Sequence, residues 1–349
     1  MAVITPYLHS NPGAPAVIFL DFRGDDDASH NNGPYDNVAA IPQIWSSVAE
    51  RFSPFNIDVT TEPTPSVPNY SIRAIISGNN TWSGRAVGGF CSVQAFHYSD
   101  AYQNNAYIFP QNLSNDPHII AMATAHELGH ALDLNHHAQW DANGNKLSEY
   151  DPGNGVVAPV MGVAYYSQRA VWSNAANSFS ADYFQDDLAI LSGTGIGVNW
   201  AGQTNPFHYR PQDHGQDIAH ADSFINVNDN LTASGIIETT SDKDTFRFDS
   251  PGGVFSVLMK VAQYDAMLHG KLELFDAANN LLATAADPNT LSQSINISLA
   301  AGSYYLAAES FGAYGDLGQY TIVATVPEPK VFLAPAIVYF ALMARRRRK

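Results

Sequence analysis

Cysteine is almost absent. A single one, Cys91, among 349 residues excludes any internal disulfide, and a free cysteine most often packs as a small buried hydrophobe. Cations are sparse as well: 17 Lys and Arg against 33 Asp and Glu leave a formal net charge of −16. That balance argues against a nucleic-acid partner, which would need a basic face. The opening stretch, MAVITPYLHSNPGAP, has no basic segment followed by an apolar run, so it does not read as a signal peptide. The expectation is either a chain that stays inside the cell or a start that is truncated. Lys is scarce beside abundant Asn, Ser, Gly, Tyr and Thr, a composition that suits an exported bacterial protein.

What is present divides the chain into four stretches. Residues 1–200 mix strand and helix patterns. APAVIFLDF (Ala14 to Phe22), FNIDVTT, SIRAIISG, GGFCSVQAF (Gly88 to Phe96) and NAYIFP (Asn105 to Pro110) are apolar runs of strand length. NVAAIPQIWSSVAERF places Val38, Ile41, Ile44, Trp45 and Val48 on one helical face. DPHIIAMATAHELGHALDL predicts a second helix, capped by Asp116 with Pro117 in its first turn. A third is predicted from Ser180 through ADYFQDDLAILSG, stopped by Gly193. Residues 201–221 read as a linker or docking segment, in which His208, His214 and His220 are spaced without a fixed acidic partner. Residues 222–326 alternate short apolar segments with turn residues, a β-sandwich pattern in which DAANN marks a hairpin. Residues 327–349 form a tail: Pro327, Glu328 and Pro329, an apolar run from Val331 to Ala344, then Arg345 to Arg348 and Lys349. Fourteen residues are short for a membrane span, and the terminal basic cluster would hold that end in the cytoplasm.

The chemistry is concentrated in AHELGHALDLNHH, Ala125 to His137. On a helix His126 and His130 lie one turn apart on one face, so both imidazoles can reach one zinc ion. Glu127 points slightly aside, toward a zinc-activated water whose proton it can take as general base. A catalytic zinc site needs a third protein ligand and an open position. His136 supplies the third if the helix stops near Asp133 and the chain turns back. His137, the next residue, is expected beside the ligands or exposed. The bland alternative is a core helix with incidental histidines, its apolar face made by Ala125, Leu128, Leu132 and Leu134.

HELGHALDLNH resembles the metzincin signature HExxHxxGxxH, and the segment from PAVIFLDF to FQDDLAIL is similar to bacterial metzincins of the serralysin and matrixin type. The resemblance implies an α+β catalytic domain, with a mixed twisted sheet, a zinc helix and a Met-turn, followed here by an all-β sandwich or jelly-roll domain. It implies one catalytic Zn2+ on His126, His130 and His136, with Glu127 as the catalytic residue. Met161, in APVMGVAYY, takes the place of the Met-turn methionine. Val163 stands where some subfamilies carry a tyrosine, which leaves Tyr165 and Tyr166 as candidate oxyanion stabilisers. The resemblance also implies a substrate edge strand, carrying Gly89, Phe90 and Ser92, that adds an extended peptide as a further strand. Asp133 replaces the family's glycine at a left-handed turn; Asn and Asp are the least penalised residues there, at about 1 kcal/mol or less. The nonapeptide calcium repeats of a serralysin β-roll are absent.

Two further resemblances concern the C-terminal part. SDKDTFRFDS, LELFDAANNLL, LAAGSYYLAAES and YGDLGQYTIVAT are similar to the bacterial pre-peptidase C-terminal domain, which implies a module removed on maturation or one that aids export or substrate contact. The tail resembles the PEP-CTERM sorting signal, which implies transient membrane insertion and cleavage by an exosortase-like enzyme. Independently of these, DANGNKLSEYD (Asp141 to Asp151) offers oxygen ligands for Ca2+ at alternating positions, without the glycine of an EF-hand loop. The resulting expectation is a monomeric, exported zinc endopeptidase acting on a protein or peptide substrate. Its rivals are a non-catalytic surface-binding protein and a peptidase that trims one envelope partner.

Overall fold

A computed structural model describes residues 5–30, 32–63, 71–84, 86–97, 104–193, 208–227 and 230–326. Residues 327–349, expected from the sequence to be a sorting tail, lie outside them. The N-terminal sheet has five strands: β1 (Ala16–Asp21), β2 (Ile57–Thr60), β3 (Ser71–Ile76), β4 (Gly89–Cys91) and β5 (Asn105–Ile108), in the order β2-β1-β3-β5-β4. All neighbours are parallel except β4, which runs antiparallel to β5 at the edge. β1 sits inside the sheet with Ala16, Ile18 and Leu20 fully buried, as its unbroken apolar run requires of a parallel strand covered on both faces.

Two helices, α1 (Ile41–Phe52) and α2 (Pro117–Ala131), pack on each other and on this sheet. Asp116 caps α2, its carboxylate accepting from the backbone N–H groups of His118 at 2.9 Å and Ile119 at 3.3 Å. Every residue of α2 from Ile120 to Ala131 is buried, so α2 is a core helix without a solvent face.

Beyond α2 the chain makes short two-stranded pairings: β6 (Gln139–Trp140) with β7 (Lys146–Ser148), β8 (Val157–Pro159) with β9 (Arg169–Val171), and β10 (Asn174–Ala176) with β11 (Phe184–Asp186). The helix predicted from Ser180 is corrected here. Ser180 serves a turn, its hydroxyl accepting from Asp182 N–H at 3.2 Å. Residues 184–186 pair as a strand, and only Asp187–Leu191 forms a helix, α3, capped by Asp186.

The C-terminal sheet contains β12 (Asp222–Ser223), β13 (Ile225–Val227), β14 (Asn230–Ile237), β15 (Lys243–Val261), β16 (Gly270–Asp276), β17 (Leu281–Ala285), β18 (Gln293–Ser310) and β19 (Gly318–Thr325). DTFRFDS and GVFSVLMKV, which look like separate strands in the sequence, form the single 19-residue β15, paired along β18. Gly252, with φ of 93°, is skipped in that pairing, which resumes at Gly253 opposite Leu299. On β18, β16 takes the far half, and on β15, β19 takes the far half. The long hairpin therefore carries both halves of the sheet.

The expectation of an α+β metzincin catalytic domain is not met at the level of fold class. The described residues are mostly β-sheet, with only three α-helices, of 12, 15 and 5 residues. The physical reason is local. Much of 139–186 closes its backbone hydrogen bonds in short two-stranded pairings rather than in helices.

The two sheets share one apolar cluster. Glu50 of α1, fully buried, accepts from the backbone N–H of Met267 at 3.1 Å and of Gln319 at 3.2 Å. Arg169 pairs with Asp316, and the Tyr314 hydroxyl donates to Asp186 at 2.5 Å. The segment after residue 207 docks on the first sheet: Asn56 N–H bonds His208 O and Arg210 N–H bonds Pro54 O, both at 2.8 Å. His208, His214 and His220 face separate partners, Ser192, Asp222 and Asp217.

Candidate metal centre

The end of α2 sets the geometry. Leu134 N–H bonds Gly129 O at 2.9 Å and Asp133 N–H bonds His130 O at 3.0 Å, the paired bonds of a Schellman stop. This stop needs a left-handed residue, and Asp133 supplies it with φ of 83°. Its carboxylate accepts from Gln94 Nε2 at 2.9 Å, while Gln94 N–H bonds His130 O at 2.9 Å. Gln94 thus ties the turn after β4 to the end of the helix. Burial pushes the Asp133 carboxyl up to about 6.

The reversal brings His136 back to His126 and His130. Among the described residues these three form the one group with metal-ligand spacing, their ligand atoms all within 4.8 Å of one another. Each imidazole uses Nδ1 elsewhere. His126 Nδ1 faces Val160 O at 2.9 Å, His130 Nδ1 faces Leu134 O at 2.7 Å, and His136 Nδ1 faces a Glu149 carboxylate oxygen at 3.0 Å. Nδ1 therefore carries the proton in each ring and Nε2 keeps its lone pair. Nε2 of His130 and of His136 lie 3.0 Å apart, close to the ~3.3 Å that two nitrogens on one tetrahedral zinc ion would show. Burial, reinforced by the neighbouring rings, pushes His126 well below its usual range and His130 down to about 4. These are neutral donors, as zinc requires.

Glu127 lies beside them, buried, and packs against Gly89. A Cβ at residue 89 would fall 2.8 Å from Glu127 Cγ and 2.9 Å from Oε1, so the glycine makes room for the carboxylate. Burial pushes Glu127 up to about 8, opposed by the Cys91 backbone N–H bonded to it. β4 is shorter than its sequence suggests: only Gly89–Cys91 pair, and no described strand pairs with its outer edge. Phe90 points to the opposite face, stacked 4.9 Å from Tyr107 and edge-on to Trp82. Ser92 is exposed in the turn that follows, outside the strand. It is therefore removed from the candidate edge residues. Cys91 is half-buried with its thiol pushed up by burial, so it is not a reactive thiolate.

Met161 is fully buried beneath α2. A Cβ on Gly129 would meet its sulfur at 2.3 Å, so the glycine inside HELGH admits the thioether. Met161 O also accepts from His137 N–H at 2.9 Å. The Tyr165 hydroxyl lies 3.5 Å from a Cβ built on Gly88, and burial followed by the Glu127 charge pushes it up to about 12. Tyr166 is 87 % exposed and is corrected: its ring stands in solvent, where it stabilises no oxyanion. His137 takes the first of its two expected places, beside the ligands, and is not exposed. It is fully buried, with Nε2 at 3.0 and 3.1 Å from the two Asp187 oxygens. Burial opposes its charge, but Asp187 outweighs burial and holds it above the ordinary range.

Sequence reasoning missed Glu149 and Tyr150. Glu149 orients His136. The Tyr150 ring sits 4.4 Å from His136 and 5.9 Å from His126, and the Glu127 charge reaches its phenol. Both lie in Asp141 to Asp151, the stretch read from the sequence as a surface loop that could offer oxygen ligands to Ca2+. Asp141 closes a hairpin turn, accepting from the backbone N–H groups of Asn143 and Asn145 and from Asn145 Nδ2. Glu149 is engaged with His136 and Lys146. The available signal was the need of a third zinc imidazole for an acceptor on its other nitrogen.

No family model matches this chain, and no curated protein matches it. Solved structures show weak likeness over about a third of it. The pre-peptidase C-terminal domain of a collagenase from Bacillus anthracis is 15% identical with a TM-score of 0.25, covering 34% of this chain and 100% of that domain. PliG of Aeromonas hydrophila, a periplasmic lysozyme inhibitor, is 9% identical with a TM-score of 0.25, covering 31% and 96%. A β-glucosidase from Paenibacillus barengoltzii is 14% identical with a TM-score of 0.18, covering 32% and 12%.

Proposed function

We propose that the chain is a zinc-dependent endopeptidase. The observation that carries this reading is the convergence of three Nε2 lone pairs, each enforced by an acceptor on Nδ1, beside a buried glutamate. The match of HELGHALDLNH to the metzincin signature supports the same chemistry. Zinc held by His126, His130 and His136 supplies Lewis acidity toward the scissile carbonyl and toward water.

The remaining work falls to the chain. The outer edge of β4 binds an extended peptide through its backbone groups. Glu127, held against Gly89, takes the proton of the attacking water and returns it to the leaving amine. Tyr150, whose ring tilts against two of the imidazoles, and Tyr165, on the side of Gly88, are the candidate phenols to donate to the developing oxyanion. Asp133 keeps His136 in place by holding the helix stop that a glycine holds in the family pattern.

Export to the cell envelope belongs to the same proposal and rests on the likeness of residues 327–349 to a PEP-CTERM signal, with an exosortase-like partner and a transient membrane stage. The working unit is proposed to be a monomer.

The test uses the purified chain and a Glu127→Ala variant, with zinc per chain and casein hydrolysis measured with and without a chelator. One zinc per chain, with chelator-sensitive cleavage lost in the variant, supports the peptidase. Zinc with no cleavage of any protein offered favours a binding role, and no zinc overturns the reading.

A further inference from the structure

We infer that Asp265, in the loop between β15 and β16 of the C-terminal sheet, is a positioning residue for the candidate metal site: through His118 it fixes the backbone of Tyr165. The inference rests on the peptidase reading, and it makes the C-terminal sheet part of the active unit rather than a removable module.

Asp265 holds φ of 53°, a left-handed conformation that its short polar side chain tolerates. From there it engages three groups of the N-terminal part. Its carboxylate accepts from Ser47 Oγ at 2.5 Å and from His118 Nδ1 at 2.7 Å, and its carbonyl accepts from Arg51 Nη1 at 2.5 Å. His118 stands in the first turn of α2, the helix that carries His126, Glu127 and His130. Its other nitrogen, Nε2, faces Tyr165 O at 3.2 Å. Four residues before Tyr165 lies Met161, and the Tyr165 ring stands by Gly88, within reach of the Glu127 charge.

Both ring nitrogens of His118 face acceptors. A neutral imidazole has one N–H and satisfies only one of them; an imidazolium satisfies both. The Asp265 carboxylate is the counter-charge that favours the protonated ring, and the hydrogen bond to it is the largest cause holding His118 above its usual range. The other charged groups facing this site are Asp116 at the helix cap, which favours the same form, and Arg51, which faces Asp265. Loss of the His118 proton releases the longer bond, that to Tyr165, and frees the Tyr165 backbone beside the candidate site.

The experiment compares the zinc-loaded full chain with Asp265→Asn and Ser47→Ala. Asparagine keeps the left-handed backbone but removes the charge; Ser47→Ala removes a bond to the same carboxylate and leaves His118 alone. Hydrogen exchange over residues 163–168 and peptide hydrolysis against pH are measured. Asp265→Asn is expected to keep one zinc per chain, exchange about tenfold faster at 163–168, and lower kcat about tenfold with KM little changed. Its alkaline limb of kcat should move down by about one pH unit. Ser47→Ala should lower the melting temperature without moving either readout. The inference is overturned if Asp265→Asn exchanges and titrates as the parent does, or if Ser47→Ala shifts both readouts equally. If Asp265→Asn does not fold, His118→Phe cuts the same link while sparing the bonds to Ser47 and Arg51, and its exchange decides. A parent chain that cleaves nothing removes the peptidase reading, and exchange at 163–168 alone then decides the inference.

Discussion

Glu149 accepts a hydrogen bond from Nδ1 of His136 at 3.0 Å and so fixes which nitrogen of the third imidazole faces the other two. His126 and His130 donate from Nδ1 to buried backbone carbonyls, which no substitution removes. Only the third ligand depends on a side chain, and that side chain is about half exposed. Glu149→Ala is therefore expected to weaken zinc binding by about 10–100-fold, the usual effect of losing such an outer partner. Glu149→Gln, which keeps an acceptor oxygen, should lose far less. Competition with a chelating dye measures both, and equal affinities for Glu149→Ala and the parent would remove Glu149 from the site.

Asp133 can be tested in the same spirit. Asp133→Gly relaxes a left-handed residue, worth about 1 kcal/mol, but leaves Gln94 Nε2 without its acceptor, which costs about as much again. The two nearly cancel, so Asp133→Gly should melt within a few degrees of the parent and retain zinc. Asp133→Val has the strain without the hydrogen bond and should lose about 2–3 kcal/mol, with weaker zinc binding because His136 follows the stop by three residues. Chemical denaturation and zinc titration read both variants. A strongly stabilised Asp133→Gly would show that the bond to Gln94 contributes nothing.

Part of this site is legible in the sequence and part is hidden. His126, Glu127 and His130 follow from a four-residue spacing on a helix whose start at Asp116 and Pro117 is written locally, and the structure puts that helix at Pro117–Ala131. The reach of His136 follows from the stop at Asp133. Glu149, Tyr150 and Asp187 come from residues 13 to 51 positions further along, where contact is set by how small hairpins stack, and no periodicity records that. The α+β reading fails for the same reason: ADYFQDDLAILSG has a helical pattern and an acceptable cap at Ser180, yet Phe184–Asp186 finds a strand partner in Asn174–Ala176. Tertiary pairing overrides local propensity there. The docking of the C-terminal sheet through Glu50 and Asp265 is equally invisible, because a buried Glu-Arg pair on an amphipathic helix looks like its polar face.

Glu50 gives a prediction about pH. It has no exposed surface, and burial, opposed by Arg51 and by the N–H groups of Met267 and Gln319, pushes its carboxyl from 4.5 up to about 7. A carboxyl whose folded pKa is raised binds its proton more tightly folded than unfolded. The unfolded chain then holds fewer protons across this range, so stability falls as pH rises. The contribution is fully present below about pH 4.5, declines between there and about pH 7, and is gone above. For this group alone the loss is about 3 kcal/mol. Glu50→Gln cannot titrate and should abolish that slope. Its absolute stability should be lower, because its amide group meets the N–H donors of Met267 or Gln319 at the joint between the two sheets. Urea denaturation at intervals from pH 4.5 to 8 compares the slopes. An unchanged slope in Glu50→Gln would mean that Glu50 stays ionised in the fold, with its three N–H donors outweighing its burial.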